Sequence, residues 1–366
     1  MNQFIRIYIL PGAMLQSVII AGGYGTGREV VEYFAGYGMT NGIYGMLVAA
    51  ICMAIVFVLT LEISRIYQVY DYRRFFQVLL GRAWLVYEIL AVMLFMLVIA
   101  VIGSAAGTVL NNELGLPEIL GAAIMLIAVT IILFYGRELV TRLLTYWSLF
   151  LYFVFLAYLT LVFINLGEGI EHGFATSENT DGWAARGLQY TGYNMTAIPI
   201  ILYCAMAIKT RRQAIIAGIT GAVIAMLPGL MLHVSFAAFY PDILEEPLPI
   251  YTVFTALNIE ILKFAYLLVL FGTFIETGAG NLQGFVERLD GWWKEKRGVS
   301  LSRQTHAAIA AVAMLLAGGL SHFGIVALIA EGYGTLAWGF IIVYAIPLLT
   351  IGIYKIIRAD NVPNST

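Results

Sequence analysis

A chain of 366 residues that is 61% hydrophobic and only 11% charged, with a mean hydropathy of +0.88, is excluded from folding as a soluble domain. Its composition is that of a helical protein that crosses a bilayer many times. The formal net charge of −2 identifies no partner, because in such a chain the placement of charge carries the signal.

Apolar length and charged or Gly/Pro punctuation predict ten spans, at 7–38, 42–66, 83–110, 117–135, 139–166, 183–208, 213–239, 259–287, 304–320 and 335–357. The start is too polar at Asn2, Gln3 and Arg6, and too soon interrupted by Pro11-Gly12, to read as a cleaved signal peptide. Residues 71–80 are short and amphipathic and are expected at the interface. Residues 323–329 are too short to span alone and are expected in the connection between spans 9 and 10, an eleventh span being the competing count. Cys52 and Cys204 fall mid-helix as small packing residues, with neither disulfide nor metal spacing.

Span 1 contains Gly22-Gly23-Tyr24-Gly25-Thr26-Gly27-Arg28-Glu29. Glycine costs about 1 kcal/mol relative to Ala in a helix interior, so the cluster predicts an unwound segment. Unwound backbone at membrane depth survives only where protein, water or a ligand satisfies it. A broken membrane helix therefore points to a binding site, and first to a transporter. The alternative is that these glycines only permit close helix packing, as in Gly38-x-x-x-Gly42.

The polar interval 167–182 divides the chain into a five-span half, residues 1–170, and a second half, residues 171–366. Five is odd, so the second half enters the membrane inverted. Span 6 should then break at the same depth, and Tyr190-Thr191-Gly192-Tyr193-Asn194, followed by Pro199, lie at that height. Both breaks are about 21–22 Å from the inner face at about 1.5 Å per residue. In span 8, Glu276 lies at the bilayer centre, where a charge costs about 2.5–3.5 kcal/mol, with Thr273 and Thr277 beside it on a small polar face that should turn inward. With both termini inside, all but Arg28, Arg186 and Lys263 of the 20 Lys and Arg residues fall on the cytoplasmic side, which predicts a multi-pass protein of the cell membrane.

The glycine-broken span 1 from Ala21 to Phe34, the Tyr-Asn break of span 6 and the Gly/Thr-rich span 8 resemble the LeuT-type fold of the amino acid–polyamine–organocation superfamily. Gly23-Tyr24-Gly25-Thr26-Gly27-Arg28-Glu29, with Gly332-Tyr333-Gly334-Thr335 through Pro347, is most similar to the YkvI-type membrane proteins. The resemblance implies an all-α polytopic protein with ten transmembrane helices in a 5+5 inverted repeat, broken in spans 1 and 6. Free N–H groups at Gly25, Thr26 and Gly27 would then attract an anionic group, and carbonyls from Ile19 to Gly22 a cation. Gly23, Tyr24, Arg28, Tyr190, Tyr193 and Asn194 would complete a substrate site. In sodium-coupled members, hydroxyls of helix 8 join helix 1 carbonyls around the ion. Those positions fall here on Thr273, Glu276 and Thr277. A carboxylate stands where a hydroxyl is expected, so Glu276 ligates the cation, carries a coupling proton, or pairs with Arg28. Arg28 holds an anionic substrate group or gates the outer vestibule with Glu29; otherwise both simply line a water-filled outer cavity.

These readings converge on a sodium- or proton-coupled secondary transporter of a small organic solute, amino-acid-like by resemblance alone. Its partners would be that solute and the lipid bilayer, with no nucleic acid and no cofactor beyond a bound sodium ion. The rivals are a non-transporting receptor or structural subunit of the same fold, and a small-ion or metal channel or transporter. No nucleotide-binding loop or nucleophile-and-base set appears, which argues against an enzyme.

Overall fold

Long apolar runs with no polar partner for their backbone must bond internally, and the chain does so as helix; no strand occurs among the described residues. The computed structural model describes residues 3–360 apart from 21, 136 and 300. Within helices, side chains are described except at 132–149, 151–152, 276, 280, 283–287, 291–292, 295, 303, 306–307, 310 and 360.

The first helix, α1 (Ile5–Ile19), is followed by a single turn, α2 (Gly22–Gly25), and by α3 (Arg28–Tyr33). Then come α4 (Met39–Tyr67), α5 (Tyr72–Leu80), α6 (Trp84–Leu114), α7 (Glu118–Tyr135) and α8 (Arg137–Thr176). The second half holds α9 (Trp183–Asn194), α10 (Ala197–Ile200), α11 (Arg211–Phe236), α12 (Pro249–Leu257), α13 (Glu260–Arg297), α14 (Arg303–Ser321) and α15 (Gly324–Ala359). Polar side chains start several of them. Asp71 accepts from the Arg74 amide at 2.9 Å to open α5, and Thr210 with Gln213 forms a capping box on α11.

Among the described residues, six stretches are long and apolar enough to cross a membrane: Met39–Tyr67, Tyr72–Leu114, Phe153–Thr176, Arg211–Phe239, Glu260–Ala279 and Gly324–Ala359. Ile5–Ile19, Glu118–Ile131 and Ala311–Ser321 are shorter apolar helices. Large apolar side chains such as Leu47, Ile51 and Ile55 stand exposed one turn apart along α4, as a lipid-facing stripe requires. The chain is a multi-pass membrane protein.

Three expectations change. Residues 323–329 are not a connection: from Gly324 they form the first turns of α15, because no Pro or polar cluster separates them from the apolar run that follows. The fifth expected span runs on to Thr176, where Gly173 lets α8 approach Ala237; a Cβ there would lie 1.8 Å from the Ala237 carbonyl oxygen. A helix, α12, fills part of the expected loop before span 8, with Pro249 in its first turn. Spans 1 and 6 are each divided into short pieces, described below.

Two groups of helices pack among themselves. One comprises α1, α4, α9 and α11, brought close by small residues such as Gly12 against Gly221 and Gly45 against Gly187. The other comprises α6, α7, α13 and α14. The single turn α2 touches α6 and α13, so the interrupted part of helix 1 sits between the groups.

Candidate functional site

Helix 1 opens at Ile20, whose φ of −70° and ψ of 85° leave the helical region, and re-forms after Gly27, whose φ of +82° suits glycine. The polar groups exposed by this interruption find protein partners. The Thr26 amide bonds the Gly22 carbonyl at 3.2 Å, and the Gly27 amide bonds that of Tyr24 at 3.0 Å. The Thr26 hydroxyl donates to the Gly23 carbonyl at 2.9 Å and accepts from the Arg28 amide at 3.4 Å. From outside the helix, Ile250 of α12 donates its amide to the Thr26 carbonyl at 3.2 Å, and the Tyr266 hydroxyl donates to that of Gly25. The amides of Thr26 and Gly27, expected free to meet an anionic group, are therefore already bonded: the α2 turn closes on itself.

Helix 6 keeps its helical form through Tyr190–Asn194 and opens later than expected. The Thr196 amide reaches back only to Tyr193, at 3.3 Å, and that of Ile198 to Met195, at 3.1 Å. Pro199 is the cause: with no N–H it cannot bond the Met195 carbonyl, so the turn tightens. Ile201 leaves the helical region, and Leu202–Ala207 continue as 3₁₀ helix.

Between these interruptions lies a cavity of about 60 Å³. Its walls include Ile19, Glu29, Tyr193, Asn194 and Thr277, with Tyr333 closing it from α15. Glu29 is the least expected of these. Its side chain is 2% exposed, its Oε2 accepts from the Tyr193 hydroxyl at 2.6 Å, and the Tyr24 backbone amide bonds it as well. The carboxylate lies flat against Gly23, where a Cβ would meet Oε1 at 2.3 Å. No ion pair to Glu29 occurs among the described residues.

Arg28, next in sequence, faces away. Its guanidinium donates to the Leu244 and Glu246 carbonyls at 2.8 and 3.1 Å and pairs with Glu32 at 3.2 Å. The two residues thus do not act together at one gate, because successive helical positions point about 100° apart. Gly27 lies beneath Phe236 and Ile250, and a second small cavity along α12 is lined by Thr26, Leu248, Tyr251, Lys263 and Tyr266. At its rim the Tyr251 hydroxyl donates to Glu113, which also pairs with Lys263 at 3.1 Å. Burial, with the carboxylate partner, pushes the Tyr251 hydroxyl's pKa up, so it stays a donor.

The fold thus brings Ile19, Tyr193, Asn194 and Thr277 to one cavity and leaves other expected site residues around it. Tyr24 is buried with its hydroxyl against Gly229, and Gly22 packs on Ile102. Tyr190 is sealed in a cluster with Tyr33 and Tyr193, ring centres 5.6–5.8 Å apart. Gly25 meets Leu270, and Thr273 donates to the Val269 carbonyl of its own helix at 2.9 Å. Glu276 belongs to α13, but its side chain lies outside the described residues. His233, buried, bonds the Met39 carbonyl at 2.8 Å. Tyr333 of the cavity wall stood in the sequence only as part of the Gly332–Thr335 motif, with no site role read for it, and Asn281 carried no distinguishing signal, since lone polar residues on long apolar helices are common.

No protein-family profile matches the chain, and no curated protein does either. Solved structures do. A manganese transporter of Eremococcus coleocola, in complex with an aromatic bis-isothiourea substituted compound, is 13% identical, with a TM-score of 0.55 over 97% of this chain and 88% of that one. MhsT in complex with L-phenylalanine is 16% identical, with a TM-score of 0.60 over 95% of this chain and 97% of that one. A Na⁺-coupled sialic acid symporter, in a substrate-bound outward-open state, is 13% identical, with a TM-score of 0.52 over 96% and 86%. At these identities the likeness is one of fold, and the chain has the LeuT-type fold that these transporters share.

Proposed function

We propose that this protein is a secondary active transporter that carries a small organic solute by alternating access, driven by a sodium or proton gradient. The observation that carries the reading is the cavity between the two interrupted helices. It is lined by polar groups from helix 1, helix 6 and α13, and the far side of the helix 1 break is closed by Ile250 on Thr26 and by Arg28 on the 244–246 loop. A site shut on one side is one half of an alternating-access cycle.

The group of α1, α4, α9 and α11 would rock against that of α6, α7, α13 and α14, opening the α12 side as the cavity closes. The cavity has room for a few water molecules only, so a solute requires this motion. In the finer reading the chain is a YkvI-type protein of ten spans, with residues 1–170 and 171–366 as inverted repeats and both termini in the cytoplasm. By resemblance alone the solute is amino-acid-like; the cavity's carboxylate, Glu29, favours the ammonium of such a solute over its carboxylate. Sodium, if it is the coupling ion, is held by carbonyls near Ile19 and Gly22 with Thr273, Thr277 and Glu276. That Ile19 and Thr277 face one cavity supports this ion site.

Uptake into proteoliposomes tests the proposal. Purified protein is given labelled amino acids and amines, with sodium and pH gradients imposed separately. Accumulation above equilibrium that collapses when the gradient is discharged is the expected result. Saturable binding without accumulation under either gradient would instead favour a receptor of the same fold.

A further inference from the structure

We infer that Glu29 is the seat of a cationic group, and that the solute this cavity takes is a small amine whose ammonium meets that carboxylate and which needs no carboxylate of its own. The inference rests on the transporter reading only in taking the cavity as the solute's place.

Three observations meet here. Glu29 is the one charged side chain among the described residues lining the cavity; it is 2% exposed and has no ion pair among the described residues. A buried ionised carboxylate is costly unless a cation accompanies it, and hydrogen bonds from Tyr193 and the Tyr24 amide offset only part of that cost. The compensating charge is thus expected from outside the chain. Next, the Thr26, Gly27 and Arg28 groups that would hold a solute carboxylate are engaged elsewhere. The Thr26, Gly27 and Arg28 amides are bonded within the break, and the Arg28 guanidinium points at the 244–246 loop. A solute carboxylate at the cavity would face Glu29 itself, a like charge. Finally, the remaining walls suit the body of an amine. The rings of Tyr193 and Tyr333 stack 4.8 Å apart beside Glu29, and Val18, Leu94, Val98 and Ala197 supply apolar surface. Aromatic rings next to a carboxylate attract an organic cation, and apolar walls favour a short hydrocarbon body over a bare ion.

Equilibrium binding to the purified full-length protein tests this without any gradient. Methylamine, isobutylamine and phenethylamine are titrated in sodium-free buffer while the melting temperature is followed. Valine and isobutyrate, which share the branched body of isobutylamine, are titrated alongside, and sodium chloride separately. The expected result is stabilisation by at least one amine, at least tenfold weaker apparent affinity for valine, and no stabilisation by isobutyrate. Glu29→Gln, checked for monodisperse elution and ligand-free melting, should weaken the amine at least tenfold. Glu29→Asp, which keeps the charge, should retain binding and decides the matter if the Gln variant does not fold. Equal stabilisation by valine or isobutyrate overturns the inference. So does an amine effect unchanged in Glu29→Gln, a Glu29-dependent effect of sodium alone, or no effect of any of the three amines. Amine binding that depends on Glu29 without gradient-driven uptake leaves this inference standing and overturns the transporter reading; gradient-driven uptake of a solute without amine binding does the reverse.

Discussion

The hydroxyl of Tyr193 donates to Glu29 Oε2 at 2.6 Å, and this bond ties the re-formed part of helix 1 to the last turn of α9. The bond fastens α3 to α9 beside the cavity, in a conformation whose other side is closed.

Tyr193→Phe removes this donor and leaves a buried carboxylate oxygen without it. The expected cost is about 1–3 kcal/mol of stability, seen as a lower melting temperature. Combined with Glu29→Gln, the loss should be less than the sum of the two single losses, because the second substitution removes the carboxylate whose partner was lost. Strict additivity in this cycle would mean that the bond carries no energy.

Gly23→Ala should abolish solute binding, because the new methyl falls 2.3 Å from the Glu29 carboxylate and 2.9 Å from Ile329 and must displace one of them. Gly319→Ala is the control: nothing lies within 4 Å of its added methyl, and its binding and melting should match the parent. Equal behaviour of the two variants in a binding assay would show that the contact at Gly23 is unimportant.

Arg28→Gln should loosen the far side of the break. It removes a buried guanidinium from the Leu244 and Glu246 carbonyls, each such bond to a charged group being worth about 1.5–3 kcal/mol. A cysteine introduced at Leu248, 3% exposed in the parent, should react with a polar maleimide several times faster in the Gln variant. An unchanged rate would place the closure elsewhere, with the α12 contact at Thr26 the next residue to test.

Glu276→Gln separates the roles open to that carboxylate. A sodium ligand would show as a strong loss of sodium-dependent stabilisation, and a proton carrier as retained solute binding with loss of pH-driven uptake. Arg28 is already held by Glu32 and two carbonyls, so Arg28→Gln is not expected to restore stability to the Glu276→Gln protein. Recovery in the double variant would establish the third role, a pair between the two residues.

The side of the membrane is checked by labelling. Cysteines at Glu171 and Asp242 should react from outside intact cells, and one at Lys294 only after permeabilisation. Labelling of Lys294 in intact cells would reverse or break the ten-span arrangement.

Much of this was legible in the sequence because it is local. Four glycines between Gly22 and Gly27 make a helix interruption almost unavoidable wherever that segment is placed, and apolar runs that cannot be solvated must be helices. Pro199 marks an opening in helix 6 for the same reason, since its missing N–H is a property of the residue. Tertiary structure decided the rest. The choice of Met195 and Ile201 over Tyr190–Asn194 as the places where helix 6 opens followed from which carbonyls nearby amides reached. The span-1 amides could not be read as free or bonded until the α2 turn was seen to close on itself, with α12 and Tyr266 holding the Thr26 and Gly25 carbonyls. Above all, Arg28 and Glu29 read in sequence as one gate, and the fold separates them. The α2 turn and the left-handed Gly27 set where α3 begins, and one helical step then sends the guanidinium to the 244–246 loop and the carboxylate into the cavity. Composition and local propensity fix where a membrane helix breaks. Which side chain meets the solute depends on the rotation of the helix about its own axis, and only packing against the other helices sets that angle.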